Sequence, residues 1–308
     1  MSLAMIFPGQ GSQSQGMQAD LAEKYAFVRE TYGVASEILG YDLWQLVQDG
    51  PADKLAETVV TQPAMLTAGY VAWLAWQECG GAAPTQMAGH SLGEYTALVC
   101  AGSLDFAEGV RVVKKRSELM QAAVPVGTGA MAAILGLDDN VVVDVCASAA
   151  ANGIVEAVNF NSPGQVVIAG HKLAVEDAVQ RAQESGARRA IILPVSVPSH
   201  SSLMQGAGQE LAETLASTEF AVPGITVINA TDATAYVDAA DIRERLATQV
   251  HRPVKWVDTI NAMINSGAKT LIECGPGKVL AGLVRRIDRG TPVATIDSQS
   301  GLEKALEL

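Results

Sequence analysis

Ser91 stands at the centre of Gly89-His90-Ser91-Leu92-Gly93, a Gly-x-Ser-x-Gly pentapeptide followed by Glu94. An apolar run from Pro84 to Ala88 precedes it with the length of a strand, and Leu92 to Ala101 reads as a helix stopped by Gly102. A serine between strand and helix, with glycine on both sides, describes a nucleophile elbow. Its turn leaves no room for side chains two residues before and after the serine. The hydroxyl then sits at a helix N-terminus, where free N–H groups can hold an oxyanion. A glycine-rich turn with a chance serine is the competing reading, and the strand–turn–helix context weighs against it.

A serine hydroxyl is unreactive at neutral pH and needs a base. The chain has four histidines. His90 adjoins the serine and can line a site, but a neighbour in a tight turn rarely reaches back to Oγ. His171, after Ala169-Gly170, and His251, before Arg252-Pro253, read as structural or exposed. His200 lies on the irregular loop Pro194-Val195-Ser196-Val197-Pro198-Ser199-His200-Ser201, whose two prolines restrict the backbone, and it is the best candidate base. No acid suggests itself as a third member. A backbone carbonyl would serve, since the base needs only an acceptor at its other ring nitrogen.

Arg116 is the other residue with chemical content. Asp105 to Val124 reads as a helix, and Phe106, Val110, Val112, Val113, Leu119, Met120 and Ala123 share one face at 100° per residue. Arg111, Lys114, Lys115 and Glu118 share the other face, whereas Arg116 falls inside the apolar arc. A guanidinium there needs an anionic partner or a route to water. A snorkelling arginine or a structural ion pair remains an alternative at this point.

These residues need a scaffold. The chain has 308 residues and 49 % hydrophobic composition, enough for a large core in one domain or two. Its net charge of −12 argues against a global affinity for nucleic acid or an anionic membrane. Cys79, Cys100, Cys146 and Cys274 are far apart, which argues against a zinc knuckle or a disulfide framework and suits reduced core residues of a cytoplasmic protein. Met1 to Phe7 lacks the features of a signal peptide, and the uncharged run Gln121 to Leu137 is broken by Pro125, Gly127 and Gly129.

Leu3 to Phe7 reads as a strand followed by the loop Pro8 to Gln13. That loop lacks the third glycine of a dinucleotide fingerprint, having Ser14 there, but can offer backbone N–H groups to an anion. Thr61-Gln62-Pro63 precedes a helix expected over Ala64 to Glu78. Between Gly127 and Leu193 the pattern is strand (130–135), helix (140–151), strand (154–159), strand (165–169), helix (173–185), strand (189–193), the order of a ferredoxin-like unit. Helices are expected at 202–216, 241–250, 257–266 and 278–287, with strands at 225–228, 270–274 and 293–296. The expected architecture is an α/β large domain with a mostly parallel sheet (residues 1–126 and 195–308) and an inserted small domain (127–194).

Four segments, Phe7-Pro8-Gly9-Gln10-Gly11-Ser12-Gln13, Gly89 to Glu94, Val158 to Gln165 and Val197-Pro198-Ser199-His200, resemble the malonyl-CoA:acyl carrier protein transacylase family. These are the malonyl-loading enzymes of bacterial type II fatty acid synthesis. Glu273-Cys274-Gly275-Pro276-Gly277 is similar to the family's C-terminal strand–turn, and the likeness runs from Met5 to about Arg286. The resemblance implies an α/β-hydrolase-like large domain with an inserted ferredoxin-like domain. It implies Ser91 as nucleophile, His200 as general base oriented by the backbone carbonyl of Gln249, and the N–H groups of Gln10 and Leu92 as oxyanion donors. Arg116 would pair with the malonyl carboxylate, and His90, Gln62 and Asn159 would line the site. The segment Val250-His251-Arg252-Pro253 departs from the pattern next to Gln249.

The implied reaction is ping-pong transfer of malonyl from malonyl-CoA, through a malonyl-serine ester, to the phosphopantetheine thiol of acyl carrier protein. It needs no metal or bound cofactor, and a monomer is expected. A trans-acting acyltransferase of a polyketide pathway would share every motif. A serine carboxylesterase would more usually place its histidine near the chain end, with an acid between serine and histidine.

Overall fold

The computed structural model describes residues 2–195 and 197–308. Met1 and Ser196, which the sequence reading includes in the N-terminal stretch and in the His200 loop, lie outside the described residues. In chain order the strands are Leu3–Phe7 (β1), Gln86–Gly89 (β2), Gly129–Leu135 (β3), Val155–Ser162 (β4), Gln165–His171 (β5), Arg189–Ile192 (β6), Thr226–Ile228 (β7), Thr270–Cys274 (β8) and Val293–Ile296 (β9).

The first sheet is parallel, in the order β7-β2-β1-β8-β9. Every residue of the central β1 is buried, as a strand covered on both faces requires. Its side chains alternate between two cores. Met5 and Phe7 join Met87 and Ile272 against one set of helices. Ala4 and Ile6 join Ala88, Leu271, Trp256 and Ile260 on the other face. This gives three layers from one period-two pattern.

The second sheet is antiparallel, in the order β4-β5-β3-β6. Helices Asp139–Ala149 and Lys172–Glu184 cover one face, packing Val142, Val175 and Ala178 on Ala132, Ile134, Val166 and Ile168. The alternate residues Met131, Ala133 and Val167 point the other way and, with Leu193 and Val195, wall a cavity against the first sheet. The strand–helix order and this sheet order are those of a ferredoxin-like unit.

Most expected elements appear with ends moved by one or two residues. The helix expected from Ala64 instead runs from Thr58 to Glu78 and contains Pro63. Proline lacks an N–H and normally marks a boundary, but this helix is buried nearly all round. Packing outweighs the one lost bond, and the result carries Gln62 inside the helix. Residues 14–60, for which the sequence reading offers no elements, form four helices: Ala19–Lys24, Ala26–Leu39, Leu43–Asp49 and Ala52–Leu55. A final helix, Gln299–Leu306, is likewise new.

Candidate active site

β2 ends at Gly89, and the helix Gly93–Cys100 begins four residues later with Ser91 between them at φ 53°. This left-handed backbone is strained for a serine and persists because its surroundings fix it. A Cβ on Gly89 would lie 1.9 Å from the Gly93 carbonyl carbon, and one on Gly93 would lie 2.0 Å from the Phe7 oxygen. Any side chain at either position would collide with backbone. The loop after β1 also presses on the turn, since a Cβ on Gly9 would meet the His90 oxygen at 2.7 Å and the Leu92 nitrogen at 3.7 Å. That approach brings the Pro8–Gln10 loop beside the elbow. Neither the Gln10 nor the Leu92 N–H donates to a protein acceptor among the described residues, so both are available to an anion.

His200 comes from the distant proline-bounded loop. Its backbone is also left-handed, at φ 67°, and its N–H donates to the Val250 carbonyl at 2.8 Å. The ring is buried. Its Nδ1 lies 2.8 Å from the Gln249 carbonyl and its Nε2 lies 2.7 Å from Ser91 Oγ. A carbonyl only accepts, so Nδ1 carries the proton and Nε2 is left to accept from the serine hydroxyl. Burial, reinforced by the Arg116 charge, lowers the His200 pKa to about 3. The imidazole is therefore neutral at physiological pH, with Nε2 unprotonated.

Arg116 is 1 % exposed, on the helix Phe106–Ala122 that Asp105 caps by accepting from the Glu108 N–H at 3.1 Å. The snorkelling alternative fails, because the guanidinium does not reach bulk water. Nη1 donates to Gln62 Oε1 at 2.5 Å, and Nη2 donates to Gln249 Oε1 at 3.0 Å and to Ser91 Oγ at 3.2 Å. Its Nε has no partner, and the Tyr95 ring lies 5.4 Å from the guanidinium carbon. No salt bridge among the described residues includes it, so the structural ion pair fails too. Burial depresses its pKa from the usual arginine range. What results is a buried cation with spare donors beside a serine hydroxyl.

Ser91, His200, Arg116, Gln10, Leu92, Gln62, His90 and Asn159 all line one cavity of about 270 Å³. His90 does not reach Ser91 Oγ. Its Nε2 lies 2.8 Å from Asn161 Oδ1, and its ring meets Trp256 edge-on at 5.4 Å. His171 and His251 lie elsewhere, the first accepting from the Ile154 N–H through Nδ1 at 3.0 Å. The segment after Gln249 keeps its register, for Val250 and Gln249 both offer their carbonyls to His200.

The sequence reading missed Glu94. This carboxylate is fully buried and takes bonds from Gln249 Nε2 and Asn229 Nδ2, both at 2.6 Å, and from the Tyr236 hydroxyl. Burial pushes its pKa up to about 7 against the pull of those donors. A signal was available, since Glu94 is the one charged residue of the helix Gly93–Cys100. Asn161, Asn229 and Tyr236 carried no local signal.

Basic residues cluster at Arg111, Lys114 and Lys115, at Arg188 and Arg189, and at Arg285, Arg286 and Arg289, and the first cluster is structural. Arg111 pairs with Glu108 at 2.9 Å, and Lys114 donates to the Ile38 and Leu39 carbonyls at the end of the helix Ala26–Leu39. Arg188 and Arg189 are exposed at the edge strand β6, and Arg286 donates to Gln165, which lines the cavity, at 2.5 Å. Among the described residues no group of His, Cys, Asp or Glu is placed to hold a metal ion, and no helix is long and apolar enough to cross a membrane.

Comparison with known proteins places the whole chain in a family. Residues 4–297 match the family model described as acyl transferase domain. The chain is 52 % identical over 305 residues to the malonyl CoA-acyl carrier protein transacylase of Escherichia coli strain K12, covering 99 % of each. A malonyl-transacylase solved with a type II PKS acyl-carrier protein superposes with a TM-score of 0.98 at 50 % identity, over 100 % of this chain and 99 % of that one. The acyl-carrier-protein S-malonyltransferase of Burkholderia pseudomallei 1710b gives 0.97 at 52 % identity, over 100 % of both chains. A strained serine, a neutral histidine and a buried arginine in one cavity thus coincide with near full-length likeness, and the chain belongs to the acyl transferase domain family.

Proposed function

We propose that this chain transfers malonyl from malonyl-CoA to the phosphopantetheine thiol of an acyl carrier protein, supplying fatty acid elongation. Ser91 Oγ attacks the thioester carbonyl while His200 Nε2 takes its proton. The oxyanion receives the Gln10 and Leu92 N–H groups, and the CoA thiolate leaves with the proton that His200 returns. In the second half the carrier thiol gives its proton to His200 and attacks the malonyl-serine ester, and Ser91 recovers its hydrogen. These steps draw on no metal or bound cofactor. Gln249 holds the imidazole through its carbonyl, while Gln62, His90 and Asn159 shape the cavity.

One observation carries the malonyl assignment: the Arg116 guanidinium, buried and without a carboxylate partner among the described residues, stands 3.2 Å from Ser91 Oγ. An acyl group with a terminal carboxylate supplies the missing charge, and a simple ester does not. Residues 127–194 are proposed as an inserted unit that roofs the cavity, and 1–126 with 195–308 as the unit carrying the catalytic groups. A monomer suffices, because every group named belongs to one chain. The four free cysteines, three of them buried, suit a reducing cytoplasm. A second reading, delivery to a polyketide carrier, is favoured by the likeness to the transacylase solved with a type II PKS carrier.

The test is to incubate the protein with radiolabelled malonyl-CoA, map the labelled peptide and add carrier protein. Label on Ser91 that moves to the carrier thiol, with little free malonate, supports the proposal. Label retained in Ser91→Ala, or malonate as the main product, refutes it. Rates with fatty acid and polyketide carriers separate the two readings.

A further inference from the structure

The proposed reaction leaves Glu94 unused, although it is a fully buried acid three residues past the nucleophile. Its surroundings show a directed set of hydrogen bonds. Asn229 Oδ1 accepts from the Thr231 N–H at 2.8 Å and from the Thr231 hydroxyl at 2.6 Å, which turns its amide nitrogen toward Glu94. The Tyr236 hydroxyl points to the same carboxylate oxygen. The other oxygen accepts from Gln249 Nε2 at 2.6 Å.

That last bond decides how the Gln249 amide lies. The ionised carboxylate only accepts, and so does the Ser91 carbonyl, which takes a bond from the same nitrogen at 2.9 Å, so the NH2 end of the amide faces both. The amide oxygen is thereby aimed at Arg116 Nη2, 3.0 Å away. The opposite orientation would set an NH2 group against a guanidinium and an amide oxygen against a carboxylate. Both contacts would be repulsive among groups as buried as Glu94, Gln249 and Arg116.

We infer that Glu94 is a positioning residue for malonyl recognition, acting through the Gln249 side chain to hold the Arg116 guanidinium in the pose that receives the acyl carboxylate. The inference rests on the proposed function. It gives the Gln249 side chain a task distinct from that of its backbone carbonyl, which holds His200. Arg116 is thus fixed from two sides, by Gln62 on Nη1 and by Gln249 on Nη2.

The experiment measures transfer of malonyl and of acetyl from their CoA esters to carrier protein, first in the wild type. No malonyl transfer there would defeat the proposed function itself. Glu94→Gln keeps the shape but faces Gln249 with an amide that cannot accept at both ends. The malonyl-to-acetyl ratio is expected to fall about tenfold, mainly through a raised KM for malonyl-CoA, while acetyl transfer changes little. Gln249→Met keeps the backbone carbonyl and removes the relay, so it should lower the ratio to a similar extent whether or not Glu94→Gln folds. The double variant should add nothing to either single change, as expected of two residues acting in series. A folded Glu94→Gln with the wild-type ratio, a Gln249→Met with the wild-type ratio, or additive losses in the double variant would each overturn the inference. A purely structural Glu94 would lower both acyl transfers together, which also overturns it.

Discussion

Arg116→Ala is the most informative single change, because its effect on the choice of acyl group can be separated from its effect on the machinery. The substitution removes the guanidinium bonds to Gln62, Gln249 and Ser91 Oγ. The Ser91 contact serves any acyl donor and cancels in a ratio of two donors. The bonds to an acyl carboxylate do not cancel. A guanidinium has five N–H groups, and three bonds leave donors for a planar anion. Two charge-assisted bonds at about 1.5–3 kcal/mol each favour malonyl by about 3–6 kcal/mol. At about 1.4 kcal/mol per factor of ten, the ideal effect is about a hundredfold or more. Water entering the enlarged cavity will recover part of it, so a fall in the malonyl-to-acetyl ratio of at least about tenfold is the working expectation. Acetyl should gain in absolute terms, since it no longer leaves a buried cation unpaired. Arg116→Lys should recover little, because an ammonium lacks the planar fork. The assay is initial transfer rate to carrier protein at matched malonyl-CoA and acetyl-CoA, with circular dichroism to establish folding. An unchanged ratio in a folded Arg116→Ala would show that selectivity lies elsewhere and that this arginine is structural.

Three further outcomes follow from particular contacts. Gly93→Ala places a Cβ 2.0 Å from the Phe7 oxygen, so it should destabilise by more than about 3 kcal/mol or prevent folding; a melting temperature within a few degrees of wild type would contradict the elbow geometry. Glu94 has its folded pKa raised to about 7 from its ordinary value of 4.5, so between those values the native state binds more protons and this group's contribution to stability falls as pH rises. Glu94→Gln should therefore make the change in urea-unfolding free energy from pH 5 to pH 7.5 more positive than in wild type, and an identical change would show that Glu94 does not titrate there. Arg188→Glu with Arg189→Glu should slow the carrier step more than acylation by malonyl-CoA, and added salt should slow the wild-type carrier step in the same sense; equal loss in both steps would remove β6 from the docking surface.

Features that depend on near neighbours are readable along the chain. The elbow was legible because Gly89 and Gly93 bracket Ser91 between a strand-like run and a helix-like run. Arg116 stood out because a 100° period places it among Val112, Val113, Leu119 and Met120, and the small sheet announced itself through its alternation of strands and helices. The tertiary structure alone decided what depends on contacts between distant segments. Gln62 stands ahead of the helix expected from Ala64, and only packing shows that the helix runs through Pro63 and includes it. Glu94 was passed over because an isolated acid in a helix has no visible partners, whereas Asn229, Tyr236 and Gln249 arrive from 135, 142 and 155 residues away. Likewise His200 reaches Ser91 across 109 residues, and the Nδ1 bond to Gln249 that fixes its tautomer spans 49. A periodic pattern is written in adjacent residues, so one chain displays it. A hydrogen-bond network is closed by the topology of the sheet, which brings the ends of β1, β2 and β7 to one edge and lets their loops meet.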